Sequence, residues 1–252
     1  MLDFLKQQTA SGAFLVFLVA NAAIFVASVM GCWLLGAIFH NKRLFSRWEP
    51  LEGREQLAAI GAVVLNSLVS VIGWVAWKAG YIDIRSGSFG RAIVDCTVMV
   101  LAMDLGMYFF HRIAHHPRIY RRMHAFHHRH EATNPISLFV LHPVEVIGFG
   151  ALMILFLAIY PISLTGLVGY LTLNILFGTL GHSGVEPFPA WVRKVPLLKY
   201  VGTSTFHAEH HEHPAYNFGF YTLLWDKIFG TLDPEYDHRF THISRPETPP
   251  DA

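Results

Sequence analysis

Residues 92–128 read AIVDCTVMVLAMDLGMYFFHRIAHHPRIYRRMHAFHH. The part from Ala92 to Phe110 is apolar but for Asp95, Thr97 and Asp104. It has about the length that crosses a bilayer, which takes about 20 residues of helix. At Phe110 the composition changes to histidine and arginine. An apolar helix that delivers a string of histidines to one membrane face sets the frame for reading the rest of the chain.

Four other apolar stretches surround it, near 12–39, 57–79, 137–159 and 162–181. Lipid offers no partner to backbone N–H and C=O groups, so each is expected as a helix. The last two are separated by Tyr160-Pro161-Ile162-Ser163 and should form a tight hairpin whose turn need not reach the far surface. Asn66, Ser67 and Ser70 mark the face of the second stretch that packs inside the bundle. Composition agrees with a membrane: 53% of the 252 residues are hydrophobic and 15% charged, against about a quarter charged in a soluble domain. Mean hydropathy is +0.38. The net charge of +1 implies no nucleic-acid partner. Cys32 and Cys96 lie in apolar runs, which argues against a disulfide scaffold or a thiolate metal site. The run from Ala13 to Phe39 is too long for a cleaved signal and is expected as a retained membrane helix.

Basic residues give the orientation. Lys42, Arg43, Arg47 and Arg54 follow the first stretch, and Arg112, Arg118, Arg121, Arg122 and Arg129 follow the third. Both segments are expected in the cytoplasm, with the N-terminus outside. Residues 111–135 and 182–252 then share the cytoplasmic face, and these are the histidine-rich regions.

Fifteen of the sixteen histidines follow residue 110. They form three clusters: His111/His115/His116, His124/His127/His128 and His207/His210/His211. Residues three and four apart share a helix face, so each cluster reads as a one-turn chelate. Imidazole suits iron, zinc, copper and nickel. His182 ends the fifth stretch above Asn174 and Gly178, which precede it at four-residue steps, and His142 begins the fourth. Both are added to the metal set. His116 and His213 lie on other faces. Asp104, two turns before His111, is a candidate acceptor for a ligand imidazole. An ion pair with another helix is the competing reading. Glu145 and Asp226 are candidate acceptors or proton donors, Asn217 a candidate orienting group, and Glu209 is expected to face outward.

The run HRIAHHPRIYRRMHAFHH (111–128) resembles the first two histidine boxes of the fatty acid hydroxylase/sterol desaturase superfamily. HAEHHEHPAYNFG (207–219) is similar to the third, and WDKIFGT (225–231) to the signature that follows it. LHPVE (141–145) and GHSG (181–184) match the sterol desaturase-like branch. The resemblance spans about residues 104 to 231. It implies two iron ions ligated by His111, His115, His124, His127, His128, His182, His207, His210 and His211, with zinc able to take iron's place in a purified or crystallised form. It also implies O2-dependent hydroxylation or desaturation of a lipid, with electrons from a separate donor protein. Similar boxes serve fatty acyl chains, sterols, alkylglycerols and carotenoids.

The expected fold is therefore an all-α integral membrane bundle of about five helices, with a cytoplasmic, helical, histidine-rich cap holding the metal. Residues 1–91 are expected as N-terminal membrane helices and 92–252 as the catalytic region of one structural domain. Two rival functions are a zinc-dependent membrane hydrolase and a metal transporter. A catalytic zinc takes three protein ligands, fewer than the clusters offer. A transporter wants ligands at mid-membrane depth, whereas these stand at helix ends.

Overall fold

The computed structural model describes residues 2–46 and 48–245. Arg47, counted above among the basic residues, and residues 246–252 lie outside the described residues. A short helix α1 (Leu2–Gln7) leads into α2 (Ala10–Ile38), whose first turn is capped by Thr9 accepting from Gly12 N at 3.1 Å. Then come α3 (Gly53–Lys78) and α4 (Phe89–Ala114). α5 (Pro117–Met123) lies across the end of α4, and α6 (Pro143–Ile159) and α7 (Leu164–Gly181) form the hairpin. Three shorter helices, α8 (Ser204–Glu212), α9 (Leu224–Phe229) and α10 (Tyr236–Ser244), complete the cap.

Each of the five apolar stretches is a helix. α2, α3, α4 and α7 are long and apolar enough to cross a membrane, whereas α6, at 17 residues, is shorter. The expectation that the fourth stretch is helical from 137 is corrected: α6 starts at Pro143. Residues 137–139 instead form a 3-10 turn, nucleated where Asn134 Oδ1 accepts from Ile136 N and Ser137 N, both at 3.0 Å. Such Asx turns offer the backbone an alternative to helix.

The helices pack α2 on α3, α4 on α7, and α6 against both α3 and α4. Met99, Met103 and Met107 recur at four-residue steps on α4 and meet Leu157 and Tyr170 in the core. Gly166 lets α7 approach α4 closely, since a Cβ there would stand 3.1 Å from Ala92 O and 2.5 Å from Asp95 Cβ. Ser67 is buried as expected, its hydroxyl donating to Val63 O one turn back at 2.7 Å.

The two ends of the bundle differ. At one end, strands β1 (Ile84–Arg85) and β2 (Ile162–Ser163) pair in parallel, joining the α3–α4 connection to the hairpin turn. Buried Asp95 locks this end by accepting from Tyr160 Oη and Ser163 N, each at 2.7 Å, and pairing with Arg91. The hairpin turn thus reaches the depth of the α3–α4 connection. α1 lies at this end too, with Trp74 Nε1 donating to Leu5 O at 2.9 Å. The C-terminal ends of α4 and α7, the N-terminus of α6 and the whole cap gather at the other end.

Candidate metal centre

The last turn of α4 carries His111 and its C-terminal cap is His115. His124 caps α5, His182 caps α7, and α8 carries His207, His210 and His211. The second box departs from the expected helix. α5 stops at Met123, and His127–Arg129 is a 3-10 turn, with His124 O accepting from His127 N at 3.0 Å and His128 N at 3.2 Å.

Two groups of imidazoles result. His111, His115, His124, His128 and His210 form one, and His127, His182, His207 and His211 the other; within each, one ring nitrogen per residue lies within 4.8 Å of the rest. The expectation of one chelate per box is thereby corrected. The pairs four residues apart, 111/115, 124/128 and 207/211, stay together, while His127 and His210 cross to the opposite group. The groups share a wall: the rings of His128 and His211 stack across it, 4.5 Å between centroids. His142 belongs to neither. Its Nδ1 accepts from Val144 N at 3.3 Å, so this ring caps α6.

What aims the rings is largely backbone. Nδ1–H of His111 donates to Phe218 O at 2.9 Å, that of His210 to Tyr216 O at 2.6 Å, and that of His127 to Val140 O at 3.2 Å. His211 Nδ1–H donates to His130 O at 3.0 Å. His182 Nδ1–H donates to Ser137 Oγ at 2.7 Å, because that hydroxyl already gives its proton to Asn134 O at 2.8 Å. His124 Nδ1 meets Glu145 Oε1. A carbonyl accepts only, so it fixes the tautomer and leaves Nε2 as a lone pair pointing inward.

The donor set fits metal ions. Nε2 of His115, His210 and His211 and Nδ1 of His128 are buried and have no hydrogen-bond partner among the described residues. Nε2 of His111 and His124 face each other at 3.0 Å while both Nδ1 atoms are engaged. Two lone pairs at that separation repel unless a cation lies between them. Burial first, then repulsion among the rings, holds these imidazoles neutral: His127 falls to about 4, and His124, His182, His207, His210 and His211 lie well below the ordinary value. Neutral imidazole is the ligating form.

The four other candidate residues take distinct places. Glu145 touches a clustered ring through one oxygen, while the other accepts from His142 N at 3.0 Å and caps α6. Among the described residues Asp104 touches no histidine and pairs with no basic side chain. It accepts from Tyr221 N at 2.8 Å and Thr222 Oγ1 at 2.5 Å, anchoring the loop beyond the third box. Asp226 accepts from Phe218 N at 2.8 Å, Gly219 N at 2.7 Å and Thr231 Oγ1 at 2.7 Å. It thus reaches His111 through the backbone of Phe218. Burial, partly offset by those three bonds, lifts its carboxyl to about 6. Asn217 has φ 60°, in the left-handed region, and ties Phe206 O to Asp233 N. Glu209 is buried against Asn217, where an outward position was expected.

Sequence reasoning passed over His130, Ser137 and Thr231. No ligand spacing marks them: Ser137 receives the His182 ring on its hydroxyl, Thr231 donates to Asp226, and the His130 ring meets carboxylates.

Residues 96–231 match the fatty acid hydroxylase family. A very-long-chain aldehyde decarbonylase, GL1-4 of Oryza sativa subsp. indica, is 29% identical over 188 residues, 71% of this chain and 30% of that protein. A second rice protein of that description, GL1-7 of subsp. japonica, is 31% identical over 187 residues, 71% of this chain and 29% of its own length. A Delta(7)-sterol 5(6)-desaturase of Leptosphaeria maculans is 27% identical over 137 residues, 54% of this chain and 36% of that protein. The chain thus spans about 30% of the length of the first of these relatives. No solved structure matches.

Proposed function

The chain belongs to the fatty acid hydroxylase family, and from that membership we propose that it is a membrane-bound, non-haem di-iron oxidoreductase acting on a lipid with O2 as co-substrate. The observation that carries the proposal is the pair of adjacent imidazole groups, five donors in one and four in the other. His111, His115, His124, His128 and His210 would hold one iron, and His127, His182, His207 and His211 the second. When bound, such a pair supplies the oxygen chemistry that hydroxylates or desaturates an unactivated C–H bond.

The residues do the rest. Backbone carbonyls, Ser137 and Glu145 hold six of the nine imidazoles, so the orientation of those ligands is set before metal arrives. The four-histidine group has one donor fewer than its neighbour, and a cavity of about 10 Å³ lies beside it, lined by Phe177, Gly178 and Leu180 of α7, by Phe206 and Phe220, and by His182 and His207. The reacting carbon of a lipid would meet the centre on the four-histidine side, where one donor fewer leaves a coordination position. Glu145, against His124 Nδ1, can hold a proton at the edge of the five-histidine group. Electrons come from a separate donor protein. The basic residues after α4 favour a cytoplasmic site end, where Arg112, Arg121 and Arg122 would meet lipid headgroups.

The test is iron-loaded protein in lipid nanodiscs with O2 and a chemical reductant, with product and oxygen uptake both measured. Fatty acyl, sterol and long-chain aldehyde substrates form the panel, the last because two relatives carry aldehyde decarbonylase names. The proposal expects oxygen uptake matched by an oxidised lipid. It is abandoned if no lipid in the panel is oxidised by protein carrying two irons.

A further inference from the structure

His130 lies two residues beyond the second box and faces away from both imidazole groups. Its ring is buried between two carboxylates, with Nδ1 2.6 Å from Glu49 Oε2 and Nε2 2.6 Å from Glu55 Oε1. Glu55 is fully buried in the first turn of α3, where its other oxygen accepts from Glu52 N at 2.7 Å. Glu49 also accepts from Ala132 N at 3.4 Å, and Arg129 reaches Glu52 at 2.5 Å. Two elements far apart in sequence are thus riveted by one imidazole. A buried carboxylate is retained only where hydrogen bonds satisfy it: buried Glu55 is held by this ring and by Glu52 N, with Arg129 3.9 Å away, while the partly exposed Glu49 takes the ring's other nitrogen.

The backbone of the same residue does something else. His130 O accepts the Nδ1–H of His211 at 3.0 Å. His130 ends the 3-10 turn in an extended conformation, and the chain beyond it to Asn134 has no regular structure. The carbonyl thus belongs to no helix or strand, and what flanks it is the clamped ring together with the Glu49 bond to Ala132 N.

We infer that the Glu49–His130–Glu55 clamp is a positioning device for the four-histidine group, aiming His211 at its ion through the His130 carbonyl. This rests on the two-metal reading above. It ties the loop before α3 and the first turn of that helix, which carry no histidine box, to the geometry of the centre. His130 is a positioning residue, since it acts through His211. Losing an outer partner of a ligand histidine lowers metal affinity about 10–100-fold, and the loss should fall on one ion of the two.

The experiment titrates the purified, metal-free, full-length chain in detergent with Co2+, whose visible absorption reports each bound ion and its coordination number. Wild type, Glu55→Gln, His130→Gln and His211→Ala are compared, with the thermal midpoint of each metal-free form recorded. Glu55→Gln keeps the volume and an acceptor for Glu52 N. The inference expects two equivalents in wild type. In both clamp variants one equivalent should weaken about 10–100-fold, the same one that His211→Ala removes, while the other is unchanged. Unaltered affinity for both ions overturns it. So does an equal weakening of both ions that tracks a lowered thermal midpoint, which would make the clamp a fold staple only. A wild-type chain that takes up fewer than two ions fails the two-metal reading instead.

Discussion

Glu145 serves two structures with one carboxylate, capping α6 through Oε2 and receiving His124 Nδ1 on Oε1. Glu145→Gln keeps the size and one acceptor but replaces the other oxygen with an amide donor that opposes Nδ1–H. Iron affinity of the five-histidine group should fall about 10–100-fold, with about 1 kcal/mol lost from the cap. Equilibrium iron binding and thermal unfolding read the two effects separately. Asp226→Asn should lower iron affinity or turnover within the same range of about 10–100-fold. The route differs: the amide no longer holds both Phe218 N and Gly219 N, and the Phe218 carbonyl loses its aim at His111. Full iron occupancy with unchanged turnover in Asp226→Asn would remove this residue from the site. The sequence exposed Glu145 and Asp226 because each is a charge in an apolar or signature context. It did not expose Asp104's partners, because spacing along α4 pointed to His111 while the loop at 221–222 approaches from outside the helix.

At the scale of elements, residues 216–219 act as a bracket between boxes one and three. Tyr216 O holds His210 and Phe218 O holds His111, and the bracket turns through Asn217 at φ 60°. A left-handed residue with a Cβ costs about 1–2 kcal/mol, which asparagine tolerates better than most. Asn217→Ala should therefore destabilise the protein by that strain and by the lost bonds to Phe206 O and Asp233 N. Asn217→Gly should recover the backbone part, and thermal unfolding of the pair measures the difference. If alanine is as stable as glycine, the strain argument fails. The apolar helices were legible because lipid length and periodicity leave one solution. The split of the second and third histidine boxes was not, because offsets of three and four both fit one helix face and only tertiary packing decides which ring crosses over. The start of α6 was misplaced for a related reason: residues 137–142 are apolar enough for a span, but the Asn134–Ser137 turn and Pro143 claim their backbone.

For the whole molecule, the N-terminal helix and the histidine groups lie at opposite ends of the bundle, and α10 packs on α8 at the histidine end. Reporters fused before Leu2 and after the C-terminus should report opposite membrane faces, the latter cytoplasmic; a reporter finding the C-terminus outside would reverse the orientation. The buried imidazoles also couple stability to pH. His127 titrates near 4 in the folded chain, against about 6.5 for an unfolded one. The unfolded state therefore binds more protons below that value. Stability is complete above about pH 6.5 and falls toward pH 4 by up to about 1.4 kcal/mol per unit for each such ring. Metal-free protein should show this as a falling thermal midpoint from pH 7 to 5, and bound metal should steepen it, since protons and ions compete for the same nitrogens. A flat profile for the metal-free chain would mean that the rings are solvated.

The most direct test of the central claim is iron counting combined with Mössbauer spectroscopy on protein loaded anaerobically with 57Fe2+, alongside His124→Ala, His128→Ala, His211→Ala, His40→Ala and His238→Ala at equal expression. Two irons per chain in two nitrogen-rich environments are predicted for wild type and for His40→Ala and His238→Ala, whose histidines lie outside both imidazole groups, with each of the three box variants losing iron and lipid oxidation together. One iron per chain in wild type, or wild-type lipid oxidation in the three box variants, would contradict the account.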